Sequence, residues 1–171
     1  MDLDLQPTLT GELLSLRPLE ANDFDALHAA AADPLVWEQH PEPDRHREDV
    51  FRRFFDGAIA SKGGLVATAL ASGTVIGSSR YYRYDPAAGE VTVGYTFLAR
   101  AFWGGAYNGE MKRLMLAHAF RAVERVRFEV GASNLRSQRA LRKIGARLVR
   151  TVVTQGPDGT ARSHLVFEIS R

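Results

Sequence analysis

The chain has 171 residues, 45% hydrophobic and 25% charged, which suits one globular domain with a sizeable core and excludes a disordered chain. It has no cysteine, which excludes disulfide scaffolds, thiolate metal sites and acyl transfer through an enzyme thioester. The net charge of +2 is uneven: thirteen acids face five Lys/Arg over residues 1–60 (−8), and seven face seventeen over residues 61–171 (+10), a basic half that suits a polyanionic or phosphate-rich partner.

In chain order, the opening MDLDLQPTLTGELL places acids before any apolar run, which does not suit a secretory signal. Leu13 to Arg17 reads as a strand ended by Pro18. Asn22-Asp23 caps a helix to about Ala32, and the proline-rich stretch from Trp37 to Asp44 reads as a loop. A helix over Asp44–Ala60 carries Val50, Phe51, Phe54, Phe55 and Ile59 on one face. Strands follow at Leu65–Leu70, Thr74–Tyr84 and Glu90–Leu98, with Tyr95 assigned to the core. A long helix spans Ala106–Val123, then a strand Arg127–Val130, a helix Asn134–Ile144, and strands Arg147–Thr154 and Arg162–Ile169 joined by a tight turn at Gly156–Gly159. This order predicts a mixed α/β sheet with βαβ character in its second half. No apolar stretch approaches a membrane span. The expectation is a single cytoplasmic domain over residues 1–171, with 1–10 as a candidate flexible lead-in and no membrane contact.

The segment VTVGYTFLARAFWGGAYNGEMKRLML runs a strand into a glycine turn and a helix. Unpaired N–H groups at a helix start, with glycines ahead of them, suit a phosphate. Two nucleotide fingerprints fail here. Gly104 and Gly109 have P-loop spacing, but Glu110-Met111 stands where Lys-Ser/Thr is required, and no G-x-G-x-x-G is present. The five histidines, His28, His40, His46, His118 and His164, lack metal spacing, so no metal is expected.

Taken together, Val93-Gly94-Tyr95-Thr96-Phe97-Leu98, Trp103-Gly104-Gly105-Ala106-Tyr107-Asn108-Gly109-Glu110, and Asn134-Leu135-Arg136-Ser137 with Lys143-Ile144-Gly145 resemble the motifs of the GNAT superfamily of N-acetyltransferases, most of all its RimJ/RimL-like branch. LTGELLSLRPLEANDFDAL resembles that family's first strand and helix, so the likeness runs from about Thr10 to the C-terminus. The resemblance implies an α/β (α+β) fold with a mixed, mostly antiparallel sheet of about six to seven strands and about four helices.

It also implies acetyl-CoA as cosubstrate and an amine acceptor, a small molecule or a protein N-terminus, acetylated directly in a ternary complex by a monomer or homodimer. The cofactor residues it implies are Gly104, Gly105, Ala106, Tyr107 and Asn108 with Trp103 for the pyrophosphate. The edge at Phe97 and Leu98 would take the pantetheine, with Asn134 and Ser137 on its other side, and Arg136, Arg139 and Lys143 are candidates for the 3′-phosphate. Three positions depart from the family: Ala101 replaces a Gln/Arg, with Arg100 one position off; Thr92 replaces a frequent Glu; and Leu141 replaces the Tyr that protonates the leaving thiolate.

The reaction needs a base and an acid. Glu90, on the same strand face as Thr92 and Gly94, is the candidate base, and Ser137, one turn before Leu141, is the candidate proton donor. Trp37 and His40 in the proline loop are candidates for acceptor contact. The five acids between Glu38 and Asp49, against Arg45 and Arg47, would favour a cationic acceptor. Two other readings compete: an acyl-CoA-binding sensor without turnover, and a nucleic-acid-binding domain, for which no helix–turn–helix or RNA-stacking motif is present and no nucleic-acid partner is expected.

Overall fold

The computed structural model describes residues 1–156 and 158–171. Twelve regular elements alternate as β1 (Leu9–Thr10), β2 (Leu14–Pro18), α1 (Phe24–Ala31), α2 (Glu48–Ser61), β3 (Gly64–Ala69), β4 (Val75–Asp85), β5 (Glu90–Leu98), α3 (Tyr107–Ala119), β6 (Arg125–Gly131), α4 (Leu135–Lys143), β7 (Arg147–Gln155) and β8 (Ala161–Ser170). The strands form one eight-stranded sheet in the order β1-β2-β3-β4-β5-β6-β8-β7. Every pairing is antiparallel except β5 with β6. The count exceeds the six to seven expected because Leu9–Thr10, too short to show alternation, pairs with Leu16 and Ser15.

Three helix boundaries differ from the sequence reading. Ala21–Asp23 is a 3-10 turn ahead of α1, in which the Asp23 carboxylate accepts the Glu20 amide at 2.8 Å and pairs with Arg17 at 2.7 Å. The helix expected from Asp44 begins at Glu48. Pro43 starts a separate 3-10 turn, and Arg47 then adopts an extended conformation that interrupts the helix. Helix α3 stops at Ala119, and Phe120 to Ala122 continue as tight turns bonded to Leu116, His118 and Ala119. The turn expected at Gly156–Gly159 includes Pro157, which lies outside the described residues; the strands on either side pair from Gln155 with Ala161.

The sheet separates two cores. On one face α3 packs Met111, Met115 and Ala119 against Leu16, Ile76, Tyr81, Val91, Val126 and Phe128. On the other, Leu27 and Ala31 of α1 and Phe51, Phe54 and Phe55 of α2 pack with Val66, Phe97 and Trp37. Residues 1–10, read as a flexible lead-in, lie against the body of the protein: Leu3 is buried, its amide donates to Tyr84, and His118 Nε2 meets the Asp4 carbonyl at 2.8 Å. No helix of the described residues is long and apolar enough to cross a membrane.

Two charged side chains of α3 are buried in this packing. The Glu110 carboxylate accepts the amides of Glu12, Leu13 and Leu14 at 2.9, 2.8 and 2.9 Å and so closes the turn before β2. Gly11 is required beside it, since a Cβ there would stand 2.5 Å from that carboxylate. Burial opposes ionisation of Glu110, but the three backbone donors and Arg113 outweigh it and hold the carboxyl below its ordinary range. Lys112 is 6% exposed, and burial pushes its ammonium down to about 7.

Both environments make stability rise with pH, in different windows. Glu110 has a depressed folded-state pKa, so its contribution is present above the ordinary carboxylate range and is lost as pH falls through the folded value. Glu110→Gln should lower stability by about 2–4 kcal/mol, because it leaves buried amides poorly paired, and should flatten the acid limb of a denaturation series. Between about pH 7 and 10 the unfolded chain holds the Lys112 proton that the folded chain has released, so stability from this group rises with pH. Lys112→Met should therefore raise Tm most at pH 6, with the advantage shrinking towards pH 10; a Tm difference that does not change with pH would contradict the assignment.

Candidate active site

Strands β5 and β6 are paired over only three residues, Glu90–Thr92 with Arg125–Arg127. Beyond them β6 continues along β8 to Gly131, while β5 continues along β4 to Leu98. The two strands thus diverge, and on this side of β5 no strand of the described residues pairs with Val93 to Leu98. A bulge marks the divergence: Tyr95 and Thr96 stand opposite Ser79 alone, and Tyr95 takes φ 52°. This turns the Tyr95 side chain out of the strand's alternation, and it is 42% exposed rather than in the core where strand alternation had assigned it.

Helix α3 starts at the open end of the split. Gly104 sits at φ 70°, in the left-handed region. A Cβ at Gly105 would meet nothing within 4 Å, so the protein's own packing does not require glycine there. The first helical bond runs from Glu110 to the Ala106 carbonyl at 2.8 Å, and the amides of Gly105, Ala106, Tyr107, Asn108 and Gly109 have no acceptor among the described residues. Together with the helix dipole these amides form a cradle for an anion. Trp103 fixes the turn to β5, its Nε1 donating to the Leu98 carbonyl at 2.8 Å.

Helix α4 closes the other side. Asn134 caps it, Oδ1 accepting the Ser137 amide at 3.3 Å, and Gln138 ties it to the carbonyls of Gly131 and Ala132. The Arg136 guanidinium lies 3.8 Å over the Trp103 ring and pairs with Glu38, while its amide donates to Gln39. Phe97 and Leu98 thus end β5, Trp103, Gly104, Gly105, Ala106, Tyr107 and Asn108 form the turn and helix start that follow, and Arg136 over Trp103 joins this turn to the helix that carries Asn134 and Ser137 at its start. The side chains of Phe97 and Leu98 point into the two cores, leaving only their backbone at the edge. The Ser137 hydroxyl has no protein partner among the described residues.

The structure places two other candidates, Glu90 and Trp37, elsewhere. Glu90 lies at the closed end of the split, paired with Arg127 at 2.7 Å and Arg125 at 3.5 Å, and Arg127 also holds Glu168. These ion pairs clamp β5, β6 and β8 and place its carboxylate away from the opening. Trp37 is 2% exposed, its Nε1 bonded to the Ala31 carbonyl and its ring 5.0 Å from Phe97, so it is core rather than an acceptor contact. Arg100 is paired with Asp33. Leu141 is buried in the core. The described residues contain no cluster of acids and histidines able to hold a metal.

Sequence reasoning missed two groups. On the α3 side, Lys112 Nζ donates to Thr96 Oγ1 at 2.8 Å, which shares a 2.8 Å bond with Ser79 Oγ, directly beneath the bulge. Its position three residues before Met115 and seven before Ala119 on an otherwise apolar face was the available signal. On the α2 side, Arg45 and Arg80 are each 7% exposed, and burial pushes both guanidiniums down from the ordinary arginine value. Arg80 lies 3.9 Å over the Tyr95 ring, and Arg45 lies 4.8 Å over Phe54. His40 packs beside Arg45, where burial first and then that charge push it down to about 3, so it is neutral at physiological pH.

The comparisons with known proteins agree with this geometry. Residues 14–147 match the family described as acetyltransferase (GNAT) domain. A GCN5-related N-acetyltransferase from Brucella melitensis superposes with TM-score 0.85 at 22% identity, over 96% of this chain and 79% of that one. A probable GNAT-family acetyltransferase from Chromobacterium violaceum gives 0.84 at 25% identity, over 95% and 85%. RimJ from Mycobacterium smegmatis, in complex with CoA-disulfide, gives 0.77 at 22% identity, over 99% and 90%. No significant match was found among curated proteins. With a split sheet, an uncapped glycine turn at its mouth and a family match over most of its length, the chain belongs to the GNAT acetyltransferase family.

Proposed function

We propose that this protein is an acetyl-CoA-dependent N-acetyltransferase that moves the acetyl group directly to a primary amine in a ternary complex. The observation that carries this reading is the row of unpartnered amides from Gly105 to Gly109 at the open end of the β5–β6 split. They fit a pyrophosphate, and the bare Gly105 leaves the space its close approach needs. The free edge of β5 at Phe97 and Leu98 suits an extended pantetheine, and the exposed Arg139 and Lys143 of α4 suit the 3′-phosphate. The likeness to the CoA-bound RimJ supports both the cosubstrate and the RimJ/RimL-like branch.

The amine attacks the thioester carbonyl, whose oxygen is polarised by an edge N–H of β5. The C–N bond forms and the C–S bond breaks; the nitrogen gives up one proton to water, and the thiolate takes one from a water that Ser137 orients or from Ser137 itself, whose hydroxyl then regains its proton from water. Ser137 suits this role because its amide is held by the Asn134 cap while its hydroxyl stays unpartnered. A second reading, an acyl-CoA sensor without turnover, draws on Leu141 in the core and Glu90 in its ion pairs. Consumption of acetyl-CoA over a panel of amines separates the two.

Gly105→Asp places a carboxylate in the cradle without touching the protein's own atoms. It should leave Tm unchanged and lower CoA affinity at least about 100-fold by calorimetry, the effect of facing a pyrophosphate with a like charge. Unchanged affinity in the folded variant removes the cosubstrate assignment. Ser137→Ala should lower kcat about 10²-fold, the scale of a lost proton donor, with CoA affinity within a few-fold. A variant that turns over at the parental rate with an unaltered pH profile assigns protonation to water alone.

A further inference from the structure

Three of the five acids between Glu38 and Asp49 are held in ion pairs, which weakens the negative field that the composition suggests. Glu38 pairs with Arg136 at 3.4 Å, Glu42 with Arg45 at 2.6 Å and Asp49 with Arg47 at 3.1 Å. What the segment sends inward is Arg45, at the α2 side of the bulge.

Arg80 approaches the same place from β4, and its position is unusual for a buried cation. No carboxylate pairs with it among the described residues. Among the described residues its guanidinium makes one hydrogen bond, from Nη2 to the Phe54 carbonyl at 3.3 Å, and its buried Nε has no partner. A guanidinium removed from water without a counter-ion is costly unless something supplies the missing charge. The Nε of Arg45 is likewise unpartnered.

The neighbouring histidine adds a third donor. His40 Nδ1 accepts the Glu42 amide at 3.0 Å, so the neutral ring carries its proton on Nε2. That N–H faces Arg45 Nη1, another donor, at 3.3 Å. Two donors facing each other call for an acceptor oxygen that both can reach. Both arginines also lie over the Phe54 ring, Arg45 at 4.8 Å and Arg80 at 5.8 Å, which places both guanidiniums against one aromatic side chain, with His40 joined to them through Arg45. Tyr95, which is exposed, is stacked on Arg80 and links the cluster to the surface.

We propose that this cluster is an oxyanion subsite for the acceptor, so that the preferred acceptor is a small amine that also carries a carboxylate or phosphate group, held by Arg80 with Arg45 and His40. The subsite lies on the α2 side of β5. The glycine turn follows the end of β5, and Tyr95 is three residues before Leu98, about 10 Å along an extended strand. It is therefore separate from the pyrophosphate cradle. The proposal rests on the acetyltransferase reading for the identity of the other reactant.

The test uses the full chain saturated with CoA and three matched pairs of probes: glycine with glycinamide, β-alanine with β-alaninamide, and 2-aminoethyl phosphate with ethanolamine. Calorimetry should show at least one acidic member binding tenfold or more tighter than its neutral partner; which pair does so identifies carboxylate or phosphate. Arg80→Gln should bring that ratio within about twofold while leaving CoA affinity unchanged and Tm equal or higher, since it removes a buried charge without a counter-ion. Arg80→Lys should keep part of the preference. An acid preference absent from every pair, including no binding at all, overturns the proposal, as does a preference that survives Arg80→Gln or a variant that loses Tm without losing the preference. Acetyl transfer measured on the same probes separates the two readings: neutral amines acetylated without acid preference overturn the subsite alone, whereas acid-preferring binding with no transfer to any amine overturns the enzymatic reading alone.

Discussion

The early parting of β5 from β6 is the constraint on which the rest of this structure depends. Three paired residues hold the strands together, and the ion pairs of Glu90 with Arg125 and Arg127 lie at that closed end. Past them, Lys112 rises from α3 with its ammonium bonded to Thr96 of β5 and 5.3 Å from the Phe128 ring of β6. It occupies the underside of the gap that lateral hydrogen bonds would otherwise have closed. A sheet edge is ordinarily a liability because it recruits another strand. Here the edge lies inside the sheet, between two strands that part, and its far end leads into the glycine turn before α3.

The same geometry explains how α3 tolerates an uncapped start. Ala106 at its N-cap offers no side-chain acceptor, which costs about 1 kcal/mol relative to a Ser or Asp cap. One turn later Glu110 grips the amides of Glu12, Leu13 and Leu14, and on the opposite side Tyr81 donates to the Met115 carbonyl at 2.6 Å. The helix is therefore held along its length from two strands. Its first amides can stay unpaired and aimed outward, which a cap would have prevented.

Legibility in the sequence followed the range of the interactions involved. β5 was read with its true limits because alternation and the flanking loop are local signals, and the glycine turn was visible because a helix start is local too. Tyr95 was misplaced because a bulge is defined by the partner strand: only the pairing with Ser78 and Arg80 shows that two residues oppose one. Trp37 and His40 sit in a proline loop that reads as surface, yet Trp37 packs on Phe97 and Phe54 and is buried, and His40 beside it is half-buried. Arg45 and Arg80 were hidden for a related reason. A buried arginine has the same letter as a solvated one, and among nineteen arginines composition cannot single out two.

Those two arginines also bear on how the nucleophile is prepared. Attack needs a neutral amine, and Glu90, the carboxylate expected to deprotonate it, is held in ion pairs away from the opening. His40, kept neutral down to about pH 3, is too weak a base to replace it. Arg45 is paired with Glu42, and the oxyanion proposed above would neutralise Arg80, so this pair leaves no net positive charge to act on the amine. The proposed subsite would therefore select the acceptor without deprotonating it, and the proton of the amine goes to water, which the open end of the split admits.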